Sequence, residues 1–529
     1  TIALGTTTQT FGKWSVTGTV GNVVTLSGTG TSHVLAGAAT SGIDYLAMGS
    51  IGFAASSPGE FYAGANSTGT ASAPVYRTAP PAATTRYWVG GTGTWDATTT
   101  TNWSTSSGGA GGASVPTSLD NVIFNTSSST ANAAYTMTIG TGATVRAKAI
   151  TMGGPGAGNN ITWAGSGTMV MHDDFDLTAG TADCTRTFTG AIVLSGSTSG
   201  FTFNSNGVTL ASGITVNGVS SQWALAGALD IGSSTLTVTN GSFDLATYNL
   251  TASSISSDNG NSRTVDFDTG TTTLSGSTPL TFGTTETNRA ALTCTASTSQ
   301  ITCSATSPTF SGNNQTLYNV SFTSTSAGTV TLNGANTFNN LSFTGLTSAG
   351  LKEIALAANQ TVNGTLTFSA GTNATMRHFC RSNTIGTTRT ITAAAFSGTD
   401  VDSRDITIAG AAAPVSGTRL GDAKGNSGIT FVAGKTVYVR STGSANWSSS
   451  TGWSATSGGA ADVTQFPLAQ DTAVFPAATY PSSGSTITVD QSYNIGTIDM
   501  SLRTSNTVTL ATGSTTPSIY GNWINGTGT

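Results

Sequence analysis

Between residues 153 and 380 the chain never sustains a long apolar run. Short alternations of apolar and small polar residues follow one another, each closed by Gly, Ser, Asn or Thr. Ile161/Trp163, Met169/Met171, Phe175/Leu177, Ile192/Leu194, Phe201/Phe203 and Leu236/Val238 are examples. Alternation of period two over a few residues marks a strand with one buried face. The strands start roughly 6–13 residues apart, too closely for helical crossovers, which take a dozen residues or more.

A finer repeat lies inside this pattern. Leu317-Tyr318-Asn319-Val320-Ser321-Phe322 returns 21 residues on as Phe338-Asn339-Asn340-Leu341-Ser342-Phe343, and more loosely as Val362-Asn363-Gly364-Thr365-Leu366-Thr367-Phe368. Twenty-odd residues holding two or three short strands is the size of one coil of a parallel β-helix. The expected fold is therefore all-β, a parallel β-helix (β-solenoid) with on the order of ten coils over 153–380. A string of β-sandwiches is the rival and predicts longer strands with Asn-Gly hairpin turns. Leu351–Ala358 alone has helix-forming composition, but it sits between strand copies and is read as continuing the solenoid.

A longer repeat frames the solenoid. Tyr87-Trp88, Trp95, Asn102-Trp103-Ser104, Pro116 and Asp120-Asn121-Val122-Ile123-Phe124 recur as Tyr438, Trp447, Trp453-Ser454, Pro467 and Asp471-Thr472-Ala473-Val474-Phe475. Tyr87/Tyr438, Pro116/Pro467, Asp120/Asp471 and Phe124/Phe475 share one offset of 351 positions. The copies predict a β cap or insertion opening each module, with the tryptophans packed under a Gly-rich loop. Asp120 and Asp471 would cap backbone donors ahead of the following strand. A carbohydrate platform on Trp95 and Trp103 is the other reading of the rings.

The expected organisation has five parts. Residues 1–80 are the end of a preceding module, 81–152 a Trp-motif cap or start of module, 153–380 the solenoid, 381–430 a module end, and 431–529 a second cap with the start of the next solenoid. Gly386–Ile391 answers Gly21–Leu26, and Asp402–Ile406 loosely answers the Asp44 strand; Ala79-Pro80-Pro81-Ala82 reads as a linker. Thr1 begins in mid-pattern without Met, as expected of a fragment or a processed product.

Only 8% of residues are charged, against about 25% in ordinary globular proteins. A disordered chain would carry more charge and fewer β-branched residues. Net charge is −5 and no basic run occurs, which argues against nucleic acid; no apolar stretch is long enough to span a membrane as a helix. Cys184, Cys294, Cys303 and Cys380 show neither a zinc spacing nor a disulfide framework. They read as small core residues, with a Cys294–Cys303 bond as the alternative. No cofactor or metal is expected.

The densest ionisable cluster is His172-Asp173-Asp174-Phe175-Asp176, with Asp183 near. In a strand Asp174 and Asp176 share a face, so they form a candidate glycan or Ca²⁺ site, or an acid/base pair. The plainer reading is a solvated edge whose charges discourage pairing.

The W-x-G-G-x-G-x-W…N-W-S…P…D-x-V-x-F motif, together with Asp44-Tyr45-Leu46 and Tyr62-Ala63-Gly64-Ala65-Asn66-Ser67, resembles Thr/Ser/Gly-rich tail-fibre or virion-surface proteins of tailed, often marine, bacteriophages. The first motif is also similar to one in autotransporter-type β-helix adhesins. The second module departs from the phage pattern, with Gly421-Asp422-Ala423 where the aromatic-Ala-Gly would fall. The resemblance implies a non-enzymatic structural protein on a virion surface or outside the cell. Its implied partners are other virion or filament subunits, copies of itself (a trimer by analogy) and host-surface glycans. A secreted adhesin or filament subunit and a β-helix polysaccharide depolymerase are the alternatives.

Overall fold

The computed structural model describes residues 1–529 except 12–13, 29–31, 36–42, 50, 55–59, 70–74, 77–82, 154–159, 178–183, 478–479 and 528. The linker reading of 79–82 and the position of Asp183 thus lie outside the described residues. The chain divides into two compact units, Thr1–Thr273 with Gly283–Ser299 and Leu274–Phe282 with Gln300–Thr529. Each is a parallel β-solenoid.

In the first unit the described strands before Thr85 already coil. Ile2–Leu4 pairs in parallel with Val24–Gly28, which pairs with Leu46–Met48, which pairs with Thr68–Gly69. From Thr85 onward two buried columns define the core. One runs Val122, Ile150, Phe175, Phe203, Leu225, each residue in register with the next. The other runs Val145, Met169, Ile192, Ile214, Leu236, Ile255. Alternation puts these side chains inward and leaves Thr, Ser and Asn outward. Each strand is satisfied only by the coils above and below it, so backbone bonding and apolar burial are the same event.

The second unit repeats this logic. The predicted repeats sit as adjacent rungs: Leu317 on Phe338 on Val362, and Val320 on Leu341 on Leu366. Cys303, Phe322, Phe343 and Phe368 form the neighbouring column. Gly350–Leu356 is a strand despite its helix-forming residues, because burial on both flanks outweighs propensity. The one α-helix among the described residues is Glu286–Ala290, capped by Thr285, whose side chain accepts from the Asn288 amide. All four cysteines are free thiols.

Two pairings bear on the expected parts. The first Trp segment is continuous with the solenoid: Thr85–Trp88 pairs in parallel with Asn121–Phe124 and joins the main ladder. Trp103–Ser104 returns antiparallel on its other side, Trp88 opposite Trp103, and covers a strand edge that would otherwise be open. The ladder also does not stop at 380, since Met376–Ser382 pairs with Val401–Arg404 and that with Gly421–Asp422. In the second copy Thr436–Val439 makes the same antiparallel and parallel pairings, within its own sheet.

The end of each preceding module has one backbone signature. Tyr45 and Asp405 are left-handed at φ 54° and 55°, Gly21 and Gly386 at 78°, and Gly64 and Lys424 at 82° and 75°.

Candidate functional site

Trp88, Trp95, Trp103 and Phe124 form one buried cluster, with ring centroids 5.1 Å apart for Trp88–Trp103 and 5.2 Å for Trp95–Trp103. The Gly-rich loop closes over them. Trp88 Nε1 donates to Gly91 O at 2.9 Å, and Asn102 Nδ2 donates to Thr94 O at 2.8 Å. A Cβ on Gly90 would lie 2.4 Å from Asn102 Oδ1, so only glycine fits there. Asp120 is fully buried and accepts from the amides and hydroxyls of Thr84 and Thr117 at 2.8–3.0 Å.

In the second copy Trp447 and Trp453 meet at 4.6 Å, and Asp471 accepts from the Lys435 and Leu468 amides. Burial raises the Asp471 carboxyl above its usual range. Pro116, Pro467 and Phe475 are likewise buried. These rings are buried against one another and their loops, and Trp95 and Pro116 also line the recess described below. The tryptophans that dominate the sequence are construction.

Asp174 and Asp176 flank the buried Phe175, whose ring stacks on Phe203 at 4.6 Å. Both carboxylates are half-buried and engaged with the next coil. Asp174 Oδ1 accepts from the Thr202 amide at 2.7 Å and its hydroxyl at 2.9 Å; Asp176 Oδ1 accepts from Asn204 Nδ2 at 2.9 Å. Burial raises the Asp176 carboxyl, against the Asn204 bond and with the Asp174 charge. The pair therefore clasps two coils. Among the described residues no group of three or more His, Cys, Asp or Glu is placed to hold a metal.

His378 is a strongly perturbed basic group. It is 1% exposed, with Nε2 2.9 Å from Ser369 O and Nδ1 without a partner among the described residues. Lys352 is its neighbour on the next coil and Arg377 precedes it. Burial pushes the ring down to about 4, with the two cations adding and the Ser369 bond and Asp400 opposing. The unfolded chain, near 6.5, therefore takes the proton first. Stability is full above pH 6.5 and falls as pH drops toward 4, by up to roughly 3 kcal/mol from this group. Urea midpoints at pH 7 and pH 4.5 should show that loss, and His378→Asn should shrink it; an unchanged difference in the variant would rule the assignment out.

The recess with the strongest chemistry lies in the first unit, where Glu60, Tyr62 and Tyr76 meet the first Trp segment. It has a volume of about 310 Å³. Glu60, one of only three glutamates in the chain, is 4% exposed. Its Oε2 accepts from Tyr62 Oη at 3.2 Å, from Ser118 Oγ at 2.7 Å and from the Ser118 amide at 3.2 Å. Its Oε1 stands 3.7 Å from Arg146 Nε. Tyr62 and Tyr76 stack at 5.2 Å, and burial followed by the Glu60 charge raises both phenols, which fixes them as hydroxyls. Sequence reading did not bring these residues together: Glu60 and Arg146 lie far apart in the chain, and the only hint was the rarity of Glu. A second recess of about 390 Å³, beside Gln222, Ser242 and Thr264, is lined by small polar residues with Val219 and Arg263 and holds neither a carboxylate nor an aromatic ring.

The fold and this junction define the class of protein: a modular parallel β-solenoid. No family model, curated protein or solved structure matches the chain. No helix among the described residues is long and apolar enough to cross a membrane.

Proposed function

We propose that this chain is a structural component of a tailed-phage virion, a fibre or surface appendage that serves attachment to the host. The observation that carries the reading is the parallel ladder itself, built with few charges and with Thr, Ser and Asn turned outward on coil after coil. Such stacking yields stability from nearest-neighbour contacts and tolerates serial duplication of modules, as the two Trp segments display. The non-enzymatic reading is supported by Asp174 and Asp176, whose carboxylates are held by Thr202 and Asn204. Partners are then other virion subunits or copies of the chain, with host-surface glycans as the attachment target.

Immunogold labelling with an antibody against this chain should decorate an appendage of tailed virions, and the antibody should block adsorption to host cells. Label on bacterial surface filaments in uninfected cultures would replace this reading with that of a secreted adhesin or filament subunit.

A further inference from the structure

The molecule contains its own control for the recess at Glu60. Val122 and Ala473, which share the offset of Asp120 and Asp471, pair with Ile150 and Ile498 respectively. Aligning the copies on those partners sets Val145 against Tyr493 and Arg146 against Asn494. The common offset of Pro116 and Pro467 sets Val115 against Phe466.

At the second junction, inside the second unit, this space is filled. Phe466 and Tyr493 are 1% and 0% exposed and meet at 4.9 Å, and Tyr493 Oη donates to Thr375 O at 2.6 Å. Asn494 reaches back to Asp402 of the preceding solenoid at 3.0 Å, as Arg146 reaches back to Glu60. At the first junction the two aromatic plugs are valines, and the recess stays open. A protein that needed only to dock its modules would have used the same rings twice.

The lining states what the recess can take. Glu60 and Arg146 carry opposite charges and offset each other, so the floor is polar with no net charge. Asp96, at the edge, directs its carboxylate onto its own loop, accepting from Thr98 and Thr99. A charged ligand would lose its hydration without a matching countercharge. The Tyr76 hydroxyl has no hydrogen bond among the described residues, and the tyrosine rings with Val115, Pro116 and Val145 supply apolar wall. Flat apolar surface beside hydroxyl, carboxylate and guanidinium groups suits a ring with one apolar face and a rim of hydroxyls. The volume, at the low end for ligand pockets, suits one such ring.

We infer that this recess is a binding site for a single neutral pyranose unit of a saccharide, with Tyr76 and the valines against the ring face and Glu60 and Arg146 on its hydroxyls. The inference gives the attachment reading a site, and rests on that reading for its biological meaning.

Saturation-transfer NMR on the full chain with methyl glycosides of glucose, galactose, mannose, rhamnose and N-acetylglucosamine tests it. At least one should receive transfer. Val115→Phe with Val145→Tyr, which copies the second junction, should abolish it while leaving far-UV circular dichroism unchanged. Tyr76→Phe, which keeps the ring and removes one hydroxyl, should weaken binding by about tenfold or less. Transfer to none of the five, transfer only to an anionic or cationic probe, or undiminished transfer in the plugged variant would overturn the proposal. Adsorption is scored separately with recombinant protein as competitor. Saccharide binding without competition leaves the site and overturns attachment; competition unaffected by the plugging variant overturns the site and leaves attachment.

Discussion

Replacing Arg377 with alanine should lower the stability of the second unit by about 3–5 kcal/mol, the cost of leaving buried charge without its partner. The guanidinium is 1% exposed and joins two carboxylates that are themselves 0% and 1% exposed. Nη1 lies 3.2 Å from Asp400 Oδ1, and Nε and Nη2 hold Asp402 Oδ1 at 3.1 and 2.5 Å. Burial works against the charge, but Asp402 first and Asp400 next outweigh it and raise the Arg377 pKa.

Asp400 keeps a second partner in Arg419, at 2.6 and 2.7 Å, whereas Asp402 is left only with the Asn494 amide. The effect should therefore reach the following module. In hydrogen exchange the amides around Tyr493 and Asn494 should lose protection before those of the Phe322–Phe368 coils. Arg377→Lys should fall between, since one ammonium cannot reproduce the forked contact. Adding Asp402→Asn to Arg377→Ala should recover part of the loss, because the stranded charge is then gone. A urea-unfolding loss below about 1 kcal/mol for Arg377→Ala would refute this account, being no more than an exposed pair is worth.

The same network shows what could be read from the chain and what could not. Period-two alternation states directly which side chains face inward, so the strands and the stacked 21-residue copies were legible. Sequence distance along a solenoid is spatial closeness one coil away, and there the reading failed. Arg377 meets Asp400 and Asp402 at separations of 23 and 25, Glu353 meets Arg381 at 28, and Asp174 meets Thr202 at 28. Coil length varies, so no fixed period exposes these pairs, and Asp174 read as a solvated edge or a candidate ligand site while its clasp on Thr202 went unseen. The packing of the Trp segment was legible, but its pairing was not. Its place in the ladder depends on Asn121–Phe124, 36 residues beyond Thr85, and nothing local in the tryptophans announces that pairing. Glu60 and Arg146 were invisible because composition records rarity and not burial.

Phe343→Ala should be the most damaging single truncation in the coils, at about 3–5 kcal/mol. Phe343 is 1% exposed and sits between Phe322 at 5.3 Å and Phe368 at 5.2 Å, with ring planes within 7° and 16° of parallel. Removing it leaves a cavity with rings above and below, and the flanking strands hold those rings at the rung spacing, so the space cannot close. It also breaks two stacks, each worth something beyond burial. Because a solenoid's stability is summed from neighbouring coils, the loss should appear as faster exchange in the strands Thr316–Phe322 and Gln360–Phe368 on both sides. Phe396, half-buried and tilted 50° on Phe368 at 6.1 Å, provides the comparison. Its ring has a partner on one side and solvent nearby, so Phe396→Ala should cost less than half as much. Equal costs for the two variants would refute this account, because neither the fuller burial of Phe343 nor its two stacks would then carry energy.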